Sequence, residues 1–415
     1  MRNLFLIVFT IFSVTSRAQS DSLFSLSDCE RIFLKNNLNL LAAKFNVNVA
    51  QAAVIQARLW DNPSLSIEIN AYNPDGNKFF DVGVNGDKSF GIEQLIHLGS
   101  KRHNELELAR TNVVIAQLQF SDLLRNLKQQ LRESYFAIYY DNLSYQAIVN
   151  QMESLNILIQ EYEKQVAKGN ISMKDLVRLK SLYLDFRSKK SELFKSISDN
   201  QSNLSLLVGK DFLIPQPKAE ELKLYSSKDI PAIDSLYHSA LNNRPDYQIA
   251  EKQVEASAWN LKWQKSLVVP DVSLGANYSQ RAGAFPNALT MSLSVPLALW
   301  NRNQGNIKSA DAQMKSNIAS KDYLKAKVMQ DVVVAQKKWK DALENSKLLD
   351  QETIQNFKKV SDSMFKNFEH GNVSLIEFTD FLESYTQSIL QYNQLGKNLV
   401  NTSEDINFYT SSTIF

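Results

Sequence analysis

Glycine and proline are so sparse and so unevenly placed in this chain that they divide it almost unaided. There are 12 Gly and 9 Pro in 415 residues, against ordinary usage of about 7% and 5%. Neither occurs from Ser100 to Lys168, Asn170 to Val208, Asn306 to His370 or Asn372 to Leu395. Unbroken runs rich in Ala, Leu, Gln, Lys and Glu are helical by propensity. In the first run Leu106, Ala109, Val113, Ala116, Phe120, Leu123 and Leu127 step alternately by three and four. That is the heptad spacing of a coiled-coil seam. At 1.5 Å per residue, Ser100 to Lys168 would make a helix roughly 100 Å long, far beyond a globular one.

The two halves echo each other. Lys168-Gly169-Asn170-Ile171-Ser172 returns as His370-Gly371-Asn372-Val373-Ser374, and Asn36-Asn37 as Asn242-Asn243, each about 200 residues on. Each half also holds two short alternating segments between its helices. Ser64 to Ala71, Val272 to Ser279 and Leu289 to Val295 alternate strictly, whereas in Lys88 to Ile96 the polar Gln94 falls on the apolar register of Phe90 and Ile92. Such segments read as strands with one greasy and one polar face, paired as hairpins across the turn-rich stretches 73–87 and 281–287. The expected organisation is a signal segment at 1–18 and a first repeat at 19–209, with helices at 26–60, 99–168 and 170–208 and strands at 64–72 and 88–96. A connector at 210–232 precedes a second repeat at 233–415, with helices at 233–267, 304–370 and 372–408 and strands at 272–280 and 288–296.

The leading segment has a positive Arg2, an apolar Leu4–Val14 core and a small-x-small Ser16-Arg17-Ala18 site, the marks of a secretory signal. Without it, and so without Arg2 and Arg17, the chain is electrically neutral, with no electrostatic footprint for nucleic acid. Beyond it no continuous apolar run reaches a helical membrane span, so a spanning part is expected to be β. Strands of about nine residues, tilted, cover the apolar band of an outer-membrane barrel. Trp60 and Trp300 on the helix side, with Tyr72, Phe79, Phe80 and Phe285 on the loop side, match two aromatic girdles. Hairpins packed on a soluble core would show the same alternation. Four strands cannot close a membrane barrel, and open edges are not tolerated in lipid, so several chains would have to pool them. Two, three or four chains would satisfy the pattern.

The segment Gln94-Leu95-Ile96-His97-Leu98-Gly99-Ser100-Lys101-Arg102 follows the second strand, and Val295-Pro296-Leu297-Ala298-Leu299-Trp300-Asn301-Arg302-Asn303-Gln304-Gly305-Asn306 follows the fourth. With the duplication and signal segment, these resemble the TolC-like outer-membrane efflux proteins. The second segment, with Arg244-Pro245-Asp246, is most similar to the cobalt–zinc–cadmium efflux branch. The resemblance implies a mainly α fold with a small β part: a duplicated helix–β-hairpin–helix, a long periplasmic α-barrel and a shared twelve-stranded barrel. It implies a homotrimer in the outer membrane of a Gram-negative bacterium, working with a periplasmic adaptor and an inner-membrane pump of the resistance–nodulation–division type. Gly169, Asn170, Gly371 and Asn372 then become the turns that dock on those partners. Glu377 and Asp380, six and nine residues after Gly371, match an acidic periplasmic gate. Asp175 is its first-half counterpart, while Arg178 stands where a second acid would be, and Val373 replaces a basic latch residue.

No catalytic constellation is present. His97, His103, His238 and His370 form no pair at metal-ligand spacing, and the single Cys29 excludes an intrachain disulfide and a cysteine-rich metal site. No cofactor is expected of a passive conduit. The expected function is an exit duct for heavy-metal cations of the cobalt, zinc, cadmium or copper type. Multidrug or type I protein export, and a periplasmic coiled-coil adaptor or structural protein without channel activity, are the alternatives.

Overall fold

The computed structural model describes residues 23–84, 86–211, 213–227, 230–281, 285–347 and 351–415, so the expected signal segment lies outside the described residues. Strand β1 (Leu23–Phe24) leads into α1 (Leu26–Asn36) and α2 (Leu38–Arg58). Next come β2 (Ser64–Ile69), the short β3 (Tyr72–Asn73) and β4 (Lys78–Phe79), and β5 (Lys88–Ile96). Helix α3 (Lys101–Ala167) turns into α4 (Met173–Val208), followed by β6 (Ile214–Pro215) and α5 (Ala219–Ser227). The rest of the chain is α6 (Ile233–Asn243), α7 (Pro245–Ser266), β7 (Val272–Arg281), β8 (Phe285–Ser294), α8 (Gln304–Ser346), α9 (Gln351–Glu369) and α10 (Leu375–Thr410).

Three of the expected helices are interrupted. The run 26–60 breaks at Asn37, which is extended (φ −67°, ψ 118°) and whose buried amide donates to the Leu207 carbonyl at 2.9 Å. The run 233–267 breaks at Arg244, in the same conformation (φ −69°, ψ 116°), because a following proline disfavours α geometry for the residue before it. The run 304–370 is interrupted after Ser346 and resumes at Gln351. The strand expected at 64–72 ends at Ile69, since Tyr72 and Asn73 pair instead with Phe79 and Lys78. The strand expected at 288–296 runs Phe285–Ser294, stopping short of Pro296.

Packing divides the chain into two compact units that each draw on both repeats. One comprises the residues through Asn37, Gln130–Ser227 and Glu344–Asn401. Its core holds Ile148, Met152, Leu155 and Ile159 of α3, Leu176, Leu179, Leu182 and Phe186 of α4, and Phe378 and Leu382 of α10. The α3 members step by four, three and four, so a heptad seam does exist in this stretch. Asp141 of α3 fastens the three helices, taking Lys397 of α10 and Ser196 of α4 at 2.7 Å each.

The second unit comprises Leu38–Gln129, Lys228–Leu343 and Thr402–Phe415. Here the expected seam Leu106–Leu127 is only half-buried, Leu127 alone of the seven being buried. Besides Leu127, the positions α3 buries in this unit are the polar Lys101, Asn104 and Thr111, roughly on the opposite side of the helix from the seam. Helix α2 is apolar on average and long enough to cross a membrane by composition, with Lys44, Asn46, Asn48 and Gln51 interrupting the run. Leu38, Leu41, Phe45, Val49 and Ile55 stand exposed on it. Near the start of α7, Arg244 grips Asp246 through two bonds of 3.0 and 2.6 Å and Asp331 of α8 at 3.0 Å.

Candidate functional site

Two features bear on function, one in each unit. The first is the pair of interhelical turns. Gly169 (φ 75°) and Gly371 (φ 74°) are left-handed, and both close the same motif. The Gly169 and Asn170 amides donate to Val166 and Gln165 carbonyls, and those of Gly371 and Asn372 to Phe368 and Asn367, all at 2.9 to 3.0 Å. That is a Schellman cap, in which a left-handed residue satisfies the last helical carbonyls, and glycine takes the conformation without steric cost. The next helices start at Met173 and Leu375, not at 170 and 372, because Ser172 and Ser374 act as their caps.

The predicted gate acids sit in these caps. Ser172 Oγ accepts from the Asp175 amide at 3.2 Å and donates to the Asp175 carboxylate at 2.9 Å. Glu377 makes the fuller box, its carboxylate accepting from the Ser374 hydroxyl at 2.7 Å and amide at 2.9 Å. Those two bonds, the hydroxyl's first, hold the Glu377 carboxyl below its ordinary value. Asp380, one turn on, has a different partner. Arg178 of α4 donates to it at 2.8 Å and to the Thr379 hydroxyl at 2.9 Å, joining the two hairpins. The sequence reading marked Arg178 only as a departure from pattern. It stands nine residues after Gly169 and Asp380 nine after Gly371, so opposite charges at one register of the repeat were the available signal. His370 is a helix-end residue, its Nδ1 2.6 Å from the Lys366 carbonyl. Among the described residues no cluster of His, Cys, Asp or Glu is arranged to hold a metal ion.

The second feature is the antiparallel sheet β2-β5-β7-β8, with β2 and β8 as free edges. Its register places Leu65 opposite Ile92, Ile67 opposite Phe90, Ile92 opposite Ala276, Phe90 opposite Tyr278, Leu274 opposite Leu293 and Ala276 opposite Met291. Cross-strand partners share a face, so these form one continuous apolar surface. It is bare within the chain: Met291 is 89% and Leu293 67% exposed. The other face carries Ser66, Glu68, Ser89, Gly91, Asn277, Thr290 and Ser292. Trp60 and Trp300 are exposed beyond one end of the strands, and Tyr72, Phe79 and Phe80 beyond the other. The side chain of Phe285 lies outside the described residues. The Arg102 guanidinium stacks 3.9 Å from the Trp60 ring centroid.

Below the strands His97 Nε2 lies 2.7 Å from Asp61, its Nδ1 3.1 Å from Asp271, and Lys101 is 2.7 Å from Asp271. This cluster ties together the chain segments flanking β2, β5 and β7. Sequence reading missed it because Asp61, His97 and Asp271 are far apart along the chain.

A family model described as "Outer membrane efflux protein" matches residues 31–210 and 236–410, once in each repeat. The chain belongs to that family. The cobalt-zinc-cadmium resistance protein CzcC of Cupriavidus metallidurans is 22% identical over 361 residues, 86% of this chain and 82% of CzcC. The structure of CusC superposes with a TM-score of 0.74 at 18% identity, covering 97% of this chain and 96% of that one. The outer membrane protein VceC of Vibrio cholerae gives 0.71 at 14% identity, covering 94% and 97%. This efflux protein is therefore an outer-membrane protein of TolC-like fold, and its family is one of channels, not enzymes.

Proposed function

We propose that three copies of this chain pool their four strands into one twelve-stranded barrel and form the passive exit duct of a tripartite efflux system. The observation that carries this reading is the sheet, with one face largely apolar and exposed and, among the described residues, both edges unpaired. In lipid such edges must be closed by other strands, and neighbouring copies supply them. The exposed apolar residues of α2 and the half-buried seam Leu106–Leu127 then meet neighbouring subunits. Facing is directly testable. Arginine at Leu293, on the lipid side, is expected to lower assembly stability by about 2–4 kcal/mol, whereas arginine at Ser292, facing the lumen, is tolerated. Equal yields of heat-resistant oligomer from the two variants would contradict the assignment.

The turns at Gly169-Asn170 and Gly371-Asn372 serve as docking points for the periplasmic adaptor and the inner-membrane pump, which supplies the energy. Cysteines at Asn170 or Asn372 are expected to crosslink to those partners in cells. Glu377 and Asp380 form acidic rings near this periplasmic mouth, Asp380 partly offset by its pair with Arg178 and Asp175 standing at the matching place of the first repeat, and raise the local concentration of cations. Glu377→Gln with Asp380→Asn removes both carboxylate charges, leaving the Arg178 charge unopposed, while keeping an acceptor for the Ser374 cap. In planar bilayers it should relieve block by divalent cations added on the periplasmic side. Unchanged block would remove the gate and leave the duct intact.

The cargo is heavy-metal cations, a reading supported by the name of the relative CzcC. The deciding experiment is a gene deletion scored against zinc, cobalt, cadmium and copper salts and against hydrophobic drugs. Metal sensitivity alone is the expected result; sensitivity confined to drugs would transfer the assignment to multidrug export.

A further inference from the structure

The connection between β2 and β5 is folded back onto the sheet by two polar side chains in an unexpected register. Lys88 is the cross-strand partner of both Ile69 and Gln280, so Lys88 and Gln280 share the face of Leu65, Ile67 and Leu274. Polar groups there, at the outer end of an apolar surface, require partners. The loop provides them. Lys88 Nζ donates to the Val82 carbonyl at 2.8 Å, and Gln280 Nε2 donates to the Gly83 and Val84 carbonyls at 2.9 and 2.8 Å. Three consecutive backbone carbonyls are thereby satisfied from the apolar side of the sheet, and Gln280 is buried beneath them. The side chains of Val82 and Val84 are left outward, Val84 at 81% exposure. The return is tight: a Cβ at Gly86 would overlap the Asp81 carbonyl, so only glycine fits.

We propose that residues 82–84 are a membrane-docking segment, laying Val82 and Val84 into the headgroup–acyl boundary of the outer leaflet. The proposal rests on the reading of the apolar sheet face as lipid-facing and extends that surface beyond the strand ends. Lipid is the occupant because the segment continues that face. Binding its carbonyls to Lys88 and Gln280 also removes polar groups that a bilayer would reject.

The test uses the full-length oligomer in vesicles, with bimane on Val84→Cys and, as references, on Leu293→Cys and Ser66→Cys. Cys29 need not be removed, because it is buried and burial pushes its thiol up to about 12. Phospholipids brominated near the headgroup are expected to quench Val84, those brominated deeper in the chain to quench Leu293, and neither to quench Ser66. Val84 quenched by aqueous iodide and not by bromolipid would overturn the proposal, as would Val84 quenched by neither, which would mean a neighbouring subunit covers it. Failure at Leu293 would instead overturn the lipid-facing reading of the sheet. Adding Lys88→Met and Gln280→Leu to Val84→Cys should cause loss of bromolipid quenching and gain of iodide quenching. An unchanged pattern would contradict the anchoring role of the two side chains.

Discussion

Replacing Arg244 with alanine is expected to lower the stability of the helical part by about 3–5 kcal/mol, the range for breaking a buried ion pair from one side. Arg244 is 3% exposed and carries three charge-assisted bonds, two to Asp246 and one to Asp331. Alanine would strand both carboxylates in a half-buried setting. Asp246 would keep Arg125 at 3.6 Å and Asp331 would keep Lys327 at 2.9 Å, which places the loss toward the lower end. Exposed pairs such as Lys164–Glu161 contribute less than about 1 kcal/mol and make the internal control. Lysine is expected to recover only part of the loss, since an ammonium cannot reproduce the planar fork. The urea midpoint of the helical circular dichroism signal measures the effect, and an unshifted midpoint would contradict the role.

The same clamp has a pH signature. Burial alone would raise the Asp246 carboxyl, but the bond from Arg244 and the charges of Arg125 and Arg244 bring it below its ordinary 3.8. A carboxylate depressed in the folded state contributes stability that is present above the ordinary value and is lost as pH falls through the folded one. Wild type should therefore lose stability more steeply below about pH 4 than Arg244→Ala, which has already lost the contribution.

Phe378→Ala is expected to have an effect of similar size beside the interhelical turns. The ring is fully buried, stacked on Phe368 at 4.2 Å and 14° and met edge-on by Phe365 at 5.0 Å and 81°. Truncation of such a ring costs about 3–5 kcal/mol in transfer and cavity terms, while leucine, keeping much of the volume, should cost less. Because α10 begins at Leu375, the loss falls on the segment that carries Glu377, Asp380 and the Gly371 turn. Hydrogen exchange should accelerate there and stay unchanged in the β2-β5-β7-β8 strands. Exchange at the turn that matches wild type would show that the aromatic cluster does not hold it.

Local signals carried most of this architecture. The αL glycines of the two interhelical turns, Gly169 and Gly371, are legible because glycine takes that conformation without steric cost, and their positions give the helical hairpins directly. Strict alternation gave most of the strand faces; Gln94, which breaks it, donates to backbone carbonyls of Asp61 and Leu95, and Lys88 and Gln280, which also break it, donate to those of residues 82–84. Where reading failed, the cause was tertiary. Asn37 breaks its helix because Leu207, 170 positions away, needs a donor. The seam Leu106–Leu127 has the right period, yet in that stretch most of what α3 buries in its own chain is the opposite, polar side, since period reports a face and not what covers it. The acids Asp175, Glu377 and Asp380 were singled out by resemblance to the family's pattern, and that pattern could not show that serine caps engage Asp175 and Glu377 or that Arg178 holds Asp380.

The central claim is that four strands per chain are closed by neighbouring copies of the same chain. Native mass spectrometry of the protein released from outer-membrane vesicles tests this most directly. Three copies per particle is the predicted result. A particle of one or two copies would contradict the twelve-stranded barrel and the duct built on it.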